Sequence, residues 1–450
     1  MNDSARVQGR PNYFEIDLDA IAHNAARVRA MIGPGVKIFA SVKANAYGFG
    51  LIEVADVLVD AGVDALAMVD LRDAVRLRQH RRATPLLVYG GNLVNRATIE
   101  LVQQHNLILT VDDLESARAC AWHATGRVVV YAEVDVGSER LGIPASQAGF
   151  ALREIHSLPN LELRALYTHI HVPAGGALDP YVTWQFQRFR RIVQDLEPDR
   201  RQPVMAMAAS SPVLLLSSHM NLDAVDVGRL LYGVLRPDVE PTLAALDLRP
   251  AFVALKSQLV HCKVIDRDEF YDAAPFAIRK DMRVGVVPMG YADGLAELAC
   301  GVALVHGKRV KLLGTPGLEH TRLDLTDLPD AAPGDEVVFI GTQGAEEITT
   351  AEILARHGTE PPARIAVAVG ETVQRVYVGP EEGKLNSTVT IRPMPRTSDP
   401  QATFDQANIV DRVRGSQSPL DGGRALESVP RGTSAGIILR RAAAALRRRR

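Results

Sequence analysis

VKIFASV (36–42) runs into SVKANAYGFG (41–50), and this junction decides the fold. The first string is apolar throughout and of strand length, the pattern of a strand covered on both faces. Lys43 closes it. A lysine beside a buried core is costly to keep charged and unpaired, so its place at a strand end calls for a reason. The YGFG that follows brings a phenol, Tyr47, onto a turn with two glycines. That pairing suits an anionic group such as phosphate.

Seven further runs are apolar in the same way. They are DALAMV (64–69), PLLVY (85–89), LILTV (107–111), VVVYAEVDV (128–136), LRALYTHI (163–170), PVMAMAA (203–209) and LDAVDVG (222–228). Helical spacing fills the gaps between them. The clearest case is 181–196, where Val182, Phe186, Phe189, Val193 and Leu196 form one stripe. Strands without a polar face, alternating with helices, mean a parallel sheet covered on both sides. Eight such units predict a closed (β/α)8 barrel over 12–244, with an open doubly wound sheet as the competitor. From about 245 to 385 short strands separated by Gly, Pro and Asp predict a mainly β domain, interrupted by one helix near 348–357.

The bulk numbers bound the rest. The chain has 450 residues, enough for two domains and an extension. A net charge of -2 is not that of a polyelectrolyte built for nucleic acid. Cys120, Cys262 and Cys300 are too scattered for a disulfide framework or a metal site, and fit a reducing compartment. No signal core and no membrane-spanning run is seen, so the expectation is cytoplasmic. Residues 395–450 read as a disordered basic tail ending in GIILRRAAAALRRRR (436–450).

In a barrel, Lys43 stands at the C-terminal mouth, where such folds place their chemistry. Arg140 follows strand five and His169 ends strand six. Ser210 and Ser211 follow strand seven, and Gly228 and Arg229 follow strand eight. The loops after strands seven and eight are the usual phosphate site of the fold. A lysine able to form a Schiff base, a phosphate cup, a histidine and an arginine in one mouth point to pyridoxal 5'-phosphate.

Over residues 12–380 the sequence resembles the alanine racemase family, the fold-type III pyridoxal-phosphate enzymes. The resemblance is carried by SVKANAYGFG, VDVGSERLGIP (134–144), YTHIH (167–171), VGRLLYG (227–233), MGYADG (289–294) and LEHTRLDLTDLP (318–329). It implies that Lys43 carries the cofactor and is one catalytic base. By the same resemblance Tyr271, in EFYDAAPF (269–276), would be the second base and would come from the other subunit of a homodimer. Tyr47, Ser211 and the amides of Gly228 and Arg229 would hold the phosphate. Arg140 would face the cofactor's phenolic oxygen, and His169 would lie beside the ring. Tyr291 and the backbone near Leu318 would border the substrate carboxylate.

Several positions depart from the family pattern. Asp226 stands where an arginine usually meets the ring nitrogen, and Glu133 where a lysine often carries a carbamate. Glu371 falls at a position expected to hold a tyrosine near the phosphate; Phe49, Ser138 and Gly317 also differ. The leading expectation is a two-base racemase interconverting L- and D-alanine or a related small amino acid. The alternatives are a decarboxylase or lyase on the same fold, and a pyridoxal-phosphate-binding protein without turnover.

Overall fold

Among the described residues the first element is a strand, β1 (Tyr13–Asp17), which turns directly into the helix Leu18–Ile32. Asp17 caps that helix by accepting from the Ala20 amide at 2.9 Å. The computed structural model describes residues 9–378 except 82, 174–178, 197–203, 237–240, 271–272 and 358–362. The expected tail and Tyr271 therefore lie outside the described residues.

After the first helix come β2 (Lys37–Ser41), β3 (Ala65–Met68), β4 (Leu86–Val88), β5 (Ile108–Val111), β6 (Val128–Asp135), the two-residue β7 (Ile143–Pro144), β8 (Leu161–Tyr167), β9 (Met205–Ser210) and β10 (Ala224–Val227). Strands β2 to β6 pair in order. Then β6 pairs with β8, β8 with β9, β9 with β10, and β10 returns to β2. Every pair in this ring is parallel. The eight apolar runs are thus the eight staves of a closed barrel, and the open-sheet competitor falls.

Period-two alternation sorts each stave into two cores. Outward residues such as Ile38, Ala40, Leu66, Met68, Val130, Ala132, Val225 and Val227 join the helices in one large cluster. Inward residues form a second cluster of Phe39, Ala65, Ala67, Leu87, Tyr131, Ala165, Tyr167, Met207 and Ala224. Small alanines alternate with large rings there, so the interior fills without a pore. Each fully buried side chain of Val, Leu or Phe size contributes roughly 1.5–3 kcal/mol. The interior changes character toward the strands' C-terminal ends, where Thr110, Glu133, Tyr167 and Asp226 replace hydrocarbon.

The second half is built from β11 (Phe252–Gln258), β12 (His261–Val264), β13 (Arg283–Val287), β14 (Val302–Val305), β15 (Lys308–Lys311), β16 (Thr321–Asp324), β17 (Glu336–Gln343), β18 (Glu346–Ile348) and β19 (Gln374–Val378). One sheet runs β15-β14-β17-β11-β1-β19, with β18 on β17; a smaller one runs β12-β13-β16. The helix Thr350–His357 interrupts the strands. One placement differs from chain order. Strand β1, which precedes the barrel, lies between β11 and β19, antiparallel to the first and parallel to the second. Its alternate residues Phe14 and Ile16 are fully buried, and Phe14 packs on Phe252 at 4.6 Å.

Candidate active site

The question raised by Lys43 is answered by the backbone after it. Ala44, Asn45, Ala46 and Tyr47 all have left-handed φ, between 52° and 57°. For L-residues this costs about 1–2 kcal/mol each, and strain of that kind persists only when neighbours over-determine it. Here they do. The Ala46 amide donates to Val42 O at 2.9 Å and the Gly48 amide to Ala44 O at 2.9 Å. Asn45 Oδ1 accepts from the Leu51 amide at 2.9 Å. Gly48 (φ 89°) lies so close to the helix Ala363–Ala368 that a Cβ would sit 2.2 Å from Ala366 O. The reversed turn holds Lys43 at the strand end and swings Tyr47 toward the loops after β9 and β10.

Tyr47 meets a cup there. Ser211 Oγ accepts from the amides of Gly228 at 3.1 Å and Leu230 at 3.4 Å. A Cβ on Gly228 would fall 2.4 Å from the Tyr47 hydroxyl oxygen, so only glycine leaves the gap open. The neighbouring Ser210 Oγ is buried without a hydrogen-bond partner among the described residues. Behind the cup, Tyr232 packs against Tyr47 at 4.9 Å and stacks on Phe49 at 5.1 Å, and its hydroxyl donates to Ser41 O at 2.9 Å. Phe49 is therefore a buried packing residue. Arg229 and His169 line one cleft of about 420 Å³ with His171, Arg236 and several apolar residues.

The other end of the pocket is made of acids and phenols. Tyr89 donates to Asp226 Oδ1 at 2.5 Å, and Lys43 Nζ lies 5.6 Å from the Tyr89 ring centre. Thr110 bonds Tyr167 at 3.0 Å, and Tyr167 donates to Glu133 Oε2 at 2.9 Å. Burial pushes the carboxyls of Asp226 and Glu133 above the ordinary range. For Asp226 the Lys43 charge, the Tyr89 hydrogen bond and Arg140 oppose this; for Glu133 the Tyr167 hydrogen bond and Arg140 do. Burial first, then the adjacent carboxylate, pushes both phenols far up, so each remains a donor. Burial, with Arg140 and Lys43 nearby, holds His169 down at about 4, and its imidazole is neutral near pH 7.

Arg140 rides on a loop shaped by Asp135, whose Oδ1 accepts from the amides of Gly137, Ser138 and Glu139 at 2.9, 2.8 and 3.2 Å. Ser138 serves that turn through its backbone.

The structure thus gathers Lys43, Tyr47, Arg140, His169, Ser211, Asp226, Gly228 and Arg229 at one barrel mouth. Tyr291 and Leu318 stand elsewhere, together on the second domain and exposed. The Tyr291 amide donates to Gly317 O and the Ala292 amide to Leu318 O. Gly290 and Gly317 let these backbones approach, since a Cβ on Gly290 would meet Gly317 O at 2.2 Å. Buried Asp293 pins this loop. It accepts two bonds from Arg10, at 2.7 and 3.0 Å, and one from Thr372 at 2.8 Å. Glu371 is exposed, in the turn before β19, and the chain beside the Tyr47 turn is Ala366 instead. Sequence reading missed Tyr89, Tyr167 and Thr110. Period-two alternation at the ends of PLLVY, LRALYTHI and LILTV carried the signal that they point inward.

Residues 16–236 match the family described as alanine racemase, N-terminal domain, and residues 252–377 match alanine racemase, C-terminal domain. The alanine racemase of Desulfosudis oleivorans is 37% identical, over 75% of this chain and 91% of its own. Alanine racemase 1 of Bacillus subtilis is 32% identical, over 82% and 94%. The crystal structure of alanine racemase from Bacillus anthracis with bound L-Ala-P superposes with a TM-score of 0.73 at 27% identity, covering 84% of this chain and 97% of that one. With its barrel, its second β domain and these relatives together, the chain belongs to the alanine racemase family.

Proposed function

We propose that this chain is a pyridoxal 5'-phosphate-dependent alanine racemase, acting as a homodimer with Lys43 and Tyr271 as its two bases. The observation that carries the reading is Lys43, fixed by a left-handed turn between a serine–glycine–tyrosine cup and a carboxylate. The cup fits the cofactor's phosphate. Gly228 leaves a gap that a methyl group would fill, and Ser210 presents a buried hydroxyl with no partner among the described residues. Tyr47, Ser211 and the amides of Gly228 and Arg229 would hold the phosphate, and Lys43 would hold the aldehyde carbon.

When bound, the cofactor supplies the electron sink that acidifies the α-hydrogen of an amino acid. The residues supply the proton traffic. Lys43 takes or returns a proton on one face and Tyr271 on the other, each positioned base contributing about 10²–10⁴-fold. Neutral His169 fills the space beside Lys43 without adding charge. Glu133 provides the fixed negative charge that steers Arg140 toward the substrate side. Exposed Phe270, Tyr291 and Leu318 on the second domain give an apolar surface for a second subunit to cover, so the partner's Tyr271 and Tyr291 complete the site.

No helix among the described residues is long and apolar enough to cross a membrane. The test is purified protein loaded with pyridoxal phosphate and offered a panel of L-amino acids, scored by chiral chromatography and for released CO₂. D-Alanine from L-alanine is the expected product. Release of CO₂ without a D-amino acid would overturn the racemase reading in favour of a decarboxylase.

A further inference from the structure

An acid–phenol pair stands inside the barrel mouth with one oxygen unspent. Asp226 lies on β10, two residues before Gly228 of the cup. Its side chain points inward, because Val225 and Val227 on either side belong to the outer core. Asp226 is half-buried, so it keeps an edge toward the pocket. Tyr89, from β4's end, takes Oδ1 at 2.5 Å. Among the described residues no donor hydrogen-bonds Oδ2. The pair joins residues 137 positions apart.

A carboxylate with one oxygen fixed and the other open inside the barrel mouth is an acceptor for a protonated aromatic nitrogen. We infer that Asp226, oriented by Tyr89, faces the ring nitrogen of the bound cofactor and keeps that nitrogen protonated. Tyr89 is the positioning residue. Its hydrogen bond favours the ionised carboxylate, so the shared proton resides on nitrogen rather than on Asp226. Without it the carboxyl is free to turn toward Lys43 or to take the proton itself. The inference rests on the cofactor reading above and adds which protonation state the ring holds. Proton count is conserved: one proton lies between nitrogen and carboxylate, and the phenol keeps its own.

The experiment reads the ring directly. Protein is loaded with pyridoxal phosphate labelled with ¹⁵N in the ring, and the ¹⁵N chemical shift is titrated for the parent, Asp226→Asn and Tyr89→Phe. Circular dichroism checks that each folds. The parent should show a protonated nitrogen at pH 7. Asp226→Asn should move the titration midpoint down by about 1–3 pH units, and Tyr89→Phe should move it the same way by less. If Asp226→Asn does not fold, Tyr89→Phe still decides, because it removes one oxygen atom only. A parent with an unprotonated ring, or variants that titrate like the parent, would overturn the inference while leaving the cofactor reading intact. A parent that takes up no pyridoxal phosphate would overturn both.

Discussion

The two ends of the pocket are made differently. The cup end is made of backbone: amides of Gly228 and Leu230 around Ser211 Oγ, a left-handed turn carrying Tyr47, and a glycine where nothing larger fits. The acid end is made of side chains from distant strands: Tyr89 with Asp226, and Thr110 with Tyr167 and Glu133. Shape rules the first and charge rules the second. The cup should therefore respond to volume and be indifferent to pH. The acid end should respond to charge and tolerate isosteric change.

Lys43 stands between the ends, and its loss should have the largest effect. On the proposed function, Lys43→Ala removes one base and the cofactor's covalent anchor. Racemisation should fall by at least about 10²–10⁴-fold, while thermal stability changes little, because the side chain is only half-buried. Steady-state racemisation with added pyridoxal phosphate measures it. Retention of a tenth of parental activity would show that the strand-end lysine is not the base.

The next two variants separate volume from hydrogen bonding within the cup. Gly228→Ala drives a methyl to 2.4 Å from the Tyr47 hydroxyl. Tyr47 must move, and cofactor affinity should fall by about 10²-fold. That is the scale of 1–3 kcal/mol for overpacking, applied at its upper end. Ser211→Ala removes an acceptor for two amides and one hydroxyl proposed to hold the phosphate, without adding volume, so a loss of about 1 kcal/mol, roughly fivefold, is expected. Fluorescence titration of cofactor-free protein ranks them. Should Ser211→Ala prove the more damaging, side-chain chemistry rather than backbone shape governs the cup.

The same contrast sorts what the sequence made legible. The eight staves could be read because each is a local run, and Lys43 because it ends one. Ser211, Gly228 and Arg229 followed from their places after staves seven and eight. What could not be read is non-local or conformational. Strand β1 pairs with β11 and β19, hundreds of residues later, and no local pattern names a partner. Tyr89 looked like the last apolar residue of PLLVY until closure of the barrel brought Asp226 to it. The left-handed run at 44–47 is written in alanines, asparagine and tyrosine; of these only asparagine favours that conformation.

The remaining contrast concerns pH, and it tests whether charge belongs to the acid end alone. Glu133 and His169 bias stability in opposite directions. Burial raises Glu133 above its ordinary 4.5, against the pull of Tyr167 and Arg140, with Asp112 and Asp226 adding to the rise. The folded protein therefore binds this proton more tightly than the unfolded chain. Stability from this group is fully present below pH 4.5 and is lost as pH rises through the folded value. His169 is depressed from 6.5 to about 4 by burial, Arg140, Lys43 and His171. The unfolded chain binds that proton more tightly, so stability is present above pH 6.5 and is lost as pH falls toward 4. The His169 contribution is on the order of 3 kcal/mol. Urea midpoints of cofactor-free parent, Glu133→Gln, His169→Gln and Ser211→Ala across pH 4–8 measure both. Relative to the parent, Glu133→Gln should gain stability as pH rises above 4.5, and His169→Gln should gain it as pH falls below 6.5. Ser211→Ala should run parallel to the parent throughout. A Ser211→Ala curve that diverges with pH would mean that the cup shares the acid end's electrostatics, and the division between shape and charge would fail.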